Sequence, residues 1–63
     1  MAVEAEDHEE VKRIVESEGR IRKSELKERV DTSEPIRDHL MLLVNLGEAA
    51  IFPVGDVVII RSE

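Results

Sequence analysis

With 63 residues, the chain is long enough for one compact domain and no more. A chain of this size buries only about 60% of the surface that it exposes when unfolded, so close packing or a partner has to supply its stability. The absence of cysteine excludes disulfides and thiolate metal sites. The two histidines, His8 and His39, are too far apart in sequence to indicate a metal-binding pair. We therefore expect no metal and no other cofactor.

The charge of the chain is unevenly distributed. Its net charge is −6, with acids in excess over residues 1–11 and 30–63 and bases in excess over residues 12–29. Nucleic-acid binders usually carry a basic face, and this chain offers a modest basic middle segment. With many acids, one asparagine and no glutamine, the composition fits both heat-adapted proteins and proteins that work in high salt. Either background weakens net acidity as an argument against nucleic-acid binding.

No stretch of the sequence reads as a membrane or targeting segment. The longest apolar runs, residues 40–44 and 57–60, are far shorter than the roughly 20 residues that span a bilayer. The N-terminal residues are acidic, which fits neither a signal peptide nor a transit peptide. We expect a soluble protein of the cytoplasm that makes no membrane contact.

The N-terminal part predicts a helix preceded by a tail. Asp7 and Glu10 have the spacing of a capping box, so the first helix is expected to begin near Asp7 and residues 1–6 to form a frayed tail. Gly19 is a suitable residue to end this helix. An apolar stripe at helical spacing marks its inward face: Val11, Ile14 and Val15.

Residues 20–30 predict a short strand and a short helix. Ile21 is a lone apolar residue between two arginines, which allows no more than a bridge-like strand. Ser24 is a good N-cap, and Leu26 and Val30 are spaced to point inward from the helix that follows. The second helix is therefore expected to begin at Ser24 and to bury two side chains.

The third helix is predicted from a proline and a strong apolar period. Pro35 fits the first turn of a helix, so this helix is expected to begin at Ser33 or Glu34 and to end at Gly47. Its inward face carries apolar side chains at helical spacing: Ile36, Leu40, Leu43 and, at the margin, Val44.

The C-terminal residues change to a β pattern. Residues 49–54 and 57–61 are β-prone and flank Gly55-Asp56, a two-residue hairpin signal. Pro53 either confines its strand to an edge of the sheet or ends it. The order of elements is thus helix, helix, helix and hairpin. This order predicts an α+β fold in a single domain, residues 1–63, with its core at about residues 7–61.

A resemblance to a known family lies in residues 19–47, which read GRIRKSELKERVDTSEPIRDHLMLLVNLG. This segment resembles the winged helix-turn-helix pattern of many bacterial and archaeal transcription regulators. In that pattern a glycine and one apolar residue precede a short helix, and a small polar turn leads into a recognition helix. A β-hairpin wing follows, here at about residues 49–61. The resemblance covers about residues 8–61, and winged helices also serve as protein-interaction modules.

The resemblance implies a small transcription regulator that binds double-stranded DNA, as a homodimer, with its third helix in the major groove. Lys23 and Ser24 would lie where the second helix meets backbone phosphate. Arg37 is the best candidate for a guanine contact, because its planar fork matches the O6 and N7 acceptors. The other residues implied on the exposed side of the third helix are Thr32, Ser33, Glu34, Asp38 and Met41. Further candidate phosphate contacts are Arg20, Arg22 and Arg61.

Three features depart from a typical DNA reader. Glu34 and Asp38 flank Arg37, so two carboxylates would approach phosphates. The tip of the hairpin has no lysine or arginine, and Met41 and Leu42 make the outer side of the third helix apolar. These features favour an alternative, a winged-helix protein-interaction module or complex subunit without direct DNA contact.

Each candidate residue also has a plainer interpretation. Arg37 can pair with nearby acids, and the other bases can neutralise neighbouring glutamates. Ser24, Thr32 and Ser33 are favoured as helix caps. We expect His8 to be exposed and His39 to be a hydrogen-bonded residue at the boundary of the core.

Nothing in the sequence predicts catalysis. It has no nucleophile–base pair, no glycine-rich phosphate loop and no metal-ligand spacing, so we expect no enzymatic activity. Phe52 is the single aromatic residue, which argues against a base-stacking platform for single-stranded nucleic acid.

Overall fold

The computed structural model of the chain describes residues 3–32 and 34–63. They form three helices and a three-stranded antiparallel sheet, which confirms the predicted α+β class. The elements in chain order are α1 (Ala5–Glu18), β1 (Arg20–Arg22), α2 (Lys23–Arg29), α3 (Ile36–Asn45), β2 (Ala49–Val54) and β3 (Val57–Ser62). None of the helices in the described part of the chain is long and apolar enough to cross a membrane.

Helix α1 begins earlier than predicted. It starts at Ala5 with Glu4 as its N-cap and has no side-chain cap hydrogen bond, so the predicted capping box of Asp7 and Glu10 is wrong. The tail predicted for residues 1–6 is likewise helical from Ala5 onward. Gly19 ends the helix as predicted: its φ is 72° and its N–H donates to the Val15 carbonyl oxygen at 2.9 Å.

β1 is a three-residue strand, longer than the predicted bridge. It pairs with β3 so that Ile21 lies opposite Ile60, and both side chains are buried. Helix α2 follows directly with Arg22 as its N-cap, so the predicted N-cap role of Ser24 is wrong. Ser24 lies instead in the first turn of α2. The predicted inward pair, Leu26 and Val30, is buried.

Helix α3 begins later than predicted because of Pro35. The proline ring disfavours helical backbone in the residue before it, and that residue is Glu34. Pro35 is the N-cap, its carbonyl oxygen accepts from the Asp38 N–H at 3.0 Å, and the helix starts at Ile36. The inward residues are buried as predicted: Ile36, Leu40 and Leu43. Gly47 ends this region with a φ of 72°.

The C-terminal hairpin is confirmed, and it lies at one side of the sheet. The strand order is β1-β3-β2, so β2 is an edge strand and tolerates Pro53, as predicted. Gly55, with a φ of 62°, makes the turn between Val54 and Val57. β3 extends to Ser62 and pairs with both neighbours.

Side chains alternate between the two faces of this sheet. The inner face packs on the helices with Ile21, Ile51 and Ile60. We call the opposite surface the outer sheet face, and its residues follow from the same alternation: Arg20, Arg22, Ala50, Phe52, Val54, Val57, Ile59 and Arg61. Helix residues complete the core: Val11, Val15, Leu26, Leu40 and Leu43.

A hydrogen-bonded group, the Thr32 cluster, joins α1 to the start of α3. It consists of Asp7, Thr32, Glu34 and His39. The Thr32 hydroxyl lies 3.0 Å from Asp7 Oδ2 and 3.1 Å from Glu34 Oε1, and its single proton can serve one of these acceptors. His39 Nε2 lies 3.2 Å from Glu34 Oε1. His39 is 0% exposed, so its predicted place at the boundary of the core is wrong.

A second group, the Glu48 cluster, joins α1 to the residue before β2. Glu48 Oε1 lies 3.0 Å from His8 Nε2, and Glu48 Oε2 lies 2.9 Å from Lys12 Nζ. His8 is buried, so the prediction that it is exposed is wrong. The hydrogen bond from Lys12 is the largest of the effects that lower the pKa of Glu48, and the same contact raises the pKa of Lys12.

Candidate nucleic-acid interface

The exposed side of α3 carries Arg37 and Met41, as predicted. Met41 is 42% exposed, and Val44 beside it is also exposed. Asp38 is half-buried on the same helix and is the acid that remains near Arg37.

Glu34 does not lie on this side, and its predicted place there is wrong. It precedes the helix, and its carboxylate binds the Thr32 hydroxyl, His39 and the Glu4 N–H inside the fold. Because that carboxylate is held inside, it does not form the predicted pair with Arg37. Within the described residues Arg37 has no ion pair. One of the two acids expected beside Arg37 is thus removed from the helix surface.

Thr32 is also displaced from its predicted place on the exposed side of the third helix. It precedes α3, and its hydroxyl belongs to the Thr32 cluster, where it also accepts from the Glu34 N–H at 3.2 Å. The Thr32 hydroxyl thus acts much as the predicted cap would, because it accepts from a backbone N–H and lies within hydrogen-bond distance of two carboxylates just before the helix. Ser33, the other predicted contact in this turn, lies outside the described residues.

A basic groove lies between α2 and the hairpin. It is lined by Arg22, Lys23, Ser24, Lys27, Asp56, Val57 and Val58. Three of these side chains are bases and one is an acid, so the groove is positive although the hairpin tip contributes Asp56. Sequence reasoning missed Lys27. The signal was present, because Lys23 and Lys27 are four residues apart and therefore share one side of a helix.

Two further bases meet on the outer sheet face. Arg20 on β1 and Arg61 on β3 are register partners, and they line a groove together with Glu18 and Phe52. The Glu18 carboxylate is within 3.5 Å of Arg29, on the end of α2. Neither Arg20 nor Arg61 has an ion pair with another described residue. Among the described residues, no glutamate forms the expected ion pair with either arginine.

These grooves adjoin one another through shared arginines. Arg20 lines both the outer-face groove and a small groove beside β1, and Arg22 lines both that small groove and the α2–hairpin groove. We call the resulting row of five bases the basic strip: Arg61, Arg20, Arg22, Lys23 and Lys27. The acids that line the same grooves are Glu18, Glu25 and Asp56. Bases therefore outnumber acids along the strip in a chain of net charge −6.

The surface also exposes apolar side chains on α3 and on the hairpin. The large ones are Met41, Val44, Leu46, Phe52, Val54 and Val57. Among the residues that the structure describes, no group of three or more histidine, aspartate or glutamate side chains is placed to hold a metal ion.

Comparison of the chain with protein-family models, with curated proteins and with solved structures finds no match. The features that indicate a function are the sequence pattern of residues 19–47 and the geometry of the described surface.

Proposed function

We propose that this protein is a winged helix-turn-helix transcription regulator that binds double-stranded DNA. The order of its elements supports this layout, with a short strand between α1 and α2 and with β2 and β3 as the wing. The observation that carries the proposal is the basic strip, which collects five bases in a row on a protein with an excess of acids.

In this proposal the two surfaces have different tasks. α3 enters the major groove, where the Arg37 fork meets the O6 and N7 acceptors of guanine and Met41 offers an apolar contact to a thymine methyl group. Lys23, Ser24 and Lys27 bind backbone phosphates. Arg20, Arg22 and Arg61 extend the phosphate contacts along the strip. Phosphate contacts fix the position of the protein, and base contacts give sequence preference.

The net charge of −6 opposes DNA binding less than its size alone would suggest. Charges more than about 8 Å apart are largely screened at physiological ionic strength. The acids of the first helical turns, such as Glu6 and Glu9, are exposed to solvent and screened in this way. The local field of the strip therefore dominates for a phosphate that touches it.

The proposal is tested by fluorescence anisotropy with a duplex taken from the DNA upstream of the protein's own coding region, across a series of salt concentrations. Each lost phosphate contact is expected to reduce the slope of log affinity against log salt by about 0.9. Lys27→Gln is expected to reduce the slope by this amount. Arg37→Gln is expected to lower the preference for the target over an unrelated duplex. Arg13→Gln, which removes an exposed arginine of α1 outside the strip, is the matched control.

Absence of binding at low salt, or binding without salt dependence, contradicts the proposal. An equal loss in Lys27→Gln and Arg13→Gln also contradicts it, because it would show a response to net charge alone. A homodimer is part of the proposal, since two copies would place two α3 helices about 34 Å apart in successive major grooves. Sedimentation of the free protein and of the complex measures this.

A second candidate function is a winged-helix interaction module without DNA contact. The exposed Met41, Val44 and Leu46 favour it, because they make one end of α3 apolar. In that case Met41→Ser would abolish binding to a protein partner, and Lys27→Gln would leave it intact.

A further inference from the structure

The outer sheet face combines positive charge with exposed apolar surface. Across the strands, Arg22 lies opposite Ile59, and Ile59 lies opposite Phe52. The next row joins Arg20 to Arg61, while the row nearest the turn joins Val57 to Val54. The face is therefore basic towards β1 and apolar towards the hairpin turn. Its open groove, of about 660 Å³, is lined by Arg20, Arg61, Phe52, Val54 and Ile59 and, at the end of α1, by one acid, Glu18.

Arg20 and Arg61 place two like charges directly opposite each other on this face. The Ser62 N–H donates to the Gly19 carbonyl oxygen at 2.9 Å, so these residues form a hydrogen-bonded pair. Such pairs alternate with non-hydrogen-bonded pairs, and the next pair, Arg20 with Arg61, is therefore of the closer kind, with Cα atoms about 4.5 Å apart. Like charges directly opposite each other destabilise a sheet. An anion bound between the two guanidinium groups would offset this repulsion.

The bases on this face are all arginines, whereas α2 contributes Lys23 and Lys27 to the strip. A guanidinium group is planar and stacks on nucleobases, as the ring of phenylalanine does. One aromatic residue is too few for a platform along an extended strand, but Phe52 is 45% exposed on the same face as three arginines, so its ring is open to a single base. The face thus offers planar groups for bases beside positive groups for phosphates, the combination that binds single-stranded nucleic acid.

We propose that the outer sheet face binds unpaired nucleotides that adjoin a duplex. One base stacks on Phe52, and its flanking phosphates bind Arg20 and Arg61. The inference rests on the proposed DNA-binding function, because Arg22 lies on this face and also lines the α2–hairpin groove. The preferred ligand is then a duplex with a single-stranded tail.

Two other occupants fit the face less well. A second copy, packed by the same face, would bring its own three arginines against Arg20, Arg22 and Arg61 and would repel them. An acidic peptide would meet the charge of the face but would make no use of its planar groups. Self-association and binding of an acidic peptide are therefore measured beside DNA binding.

The experiment compares a blunt duplex, the same duplex with a short thymidine tail, and the tail alone, by fluorescence anisotropy. One stacked base is expected to make the tailed duplex bind about fivefold or more tightly than the blunt one. Phe52→Leu keeps an apolar side chain but removes the ring, so it should abolish this difference and leave the affinity for the blunt duplex unchanged. Arg61→Gln should reduce the difference, and Arg13→Gln should not.

The ring can be observed directly by NMR of protein with ¹³C-labelled phenylalanine, because the chain has one phenylalanine and the label separates its ring protons from those of the histidines and of the DNA bases. The ring protons of Phe52 should shift upfield when the tailed duplex is added and should stay unmoved with the blunt duplex. Circular dichroism of Phe52→Leu establishes that the variant is folded.

The results separate this inference from the proposed function. If both duplexes bind equally and the Phe52 ring does not shift, the inference fails and the DNA-binding function stands. If the tail alone binds with a ring shift and the blunt duplex does not bind, the face is supported and the duplex function fails. Binding of neither DNA contradicts both. Self-association that Phe52→Leu abolishes, or tighter binding of an acidic peptide than of the tail, overturns the inference.

Discussion

Glu48, the residue before β2, connects the hairpin to α1 through its carboxylate. Its carboxylate binds Lys12 through one oxygen and the buried His8 through the other. Sequence reasoning did not find this contact, because His8 and Glu48 are separated by 40 positions and the acidic surroundings of His8 suggested an exposed side chain. The same holds for His39, whose partners Thr32 and Glu34 lie in an irregular turn.

The lowered pKa of Glu48 predicts a pH dependence of stability. A carboxylate whose pKa is lowered by folding stabilises the fold above its ordinary pKa, about 4.3, and this contribution is lost as the pH falls through the folded value. Lys12, whose pKa is raised, contributes below its ordinary value and loses this contribution as the pH rises through the folded value. The difference in free energy of unfolding between the native chain and Glu48→Gln should therefore be largest near neutral pH and shrink at both extremes.

Urea denaturation, monitored by circular dichroism at a series of pH values, measures this difference in free energy of unfolding. Glu28→Gln, which changes an exposed carboxyl of α2 that takes no part in the Glu48 cluster, is the control and should not reproduce this pH dependence. A difference for Glu48→Gln that does not change with pH would show that the cluster contributes no stability.

Among the elements, local signals located the helices and the turns but placed all three helix starts wrongly. The predicted end of α1 at Gly19 and the predicted turn at Gly55 are correct, because both depend on a backbone conformation that glycine adopts easily. The starts of α2 and α3 differ because Arg22 continues from β1 straight into a helix and because Pro35 keeps Glu34 out of α3.

The Thr32 cluster, which joins α1 to the start of α3, predicts a structural role for Thr32. Thr32→Val keeps the shape of the side chain and removes the hydroxyl that Asp7, Glu34 and His39 share. We expect the free energy of unfolding to fall by about 1–3 kcal/mol, because partly buried polar groups lose a partner. Ser24→Ala removes an exposed hydroxyl and should change stability by less than about 0.5 kcal/mol.

Thermal and urea unfolding of both variants measure these effects. If Thr32→Val unfolds like the native chain but binds DNA more weakly, Thr32 is a DNA contact and the structural role is wrong.

At the scale of the whole molecule, charge determines two opposite responses to salt. The chain has 15 acids and 9 bases, and in a molecule of net charge −6 the unpaired acids repel one another. Added sodium chloride screens this repulsion, so we expect the free energy of unfolding to rise with salt while the affinity for DNA falls.

A triple variant, Glu6→Gln with Glu9→Gln and Glu16→Gln, tests the explanation, because it neutralises three exposed acids of α1. Its stability should depend less on salt than that of the native chain. A native chain whose stability falls with added salt would mean that its ion pairs outweigh the repulsion.

The α+β class, the three helices, the hairpin and most of the core could be predicted from local sequence patterns. These features follow from signals that act over one helical turn or two strand residues: the apolar period that buries Leu40 and Leu43, and the Gly55-Asp56 turn. It also identified the individual bases of the candidate interface, with the exception of Lys27.

Which distant residues lie together depends on the packing of the whole chain. Arg61 lies opposite Arg20 because of the register between β1 and β3, and Lys23 and Lys27 share a groove with the hairpin because α2 packs beside β3. The inward turn of Glu34 likewise depends on Thr32 and His39 around it. Strand register and helix packing are set by the whole core at once, and this is why no local pattern in the sequence could place Arg61 beside Arg20 or the hairpin beside α2.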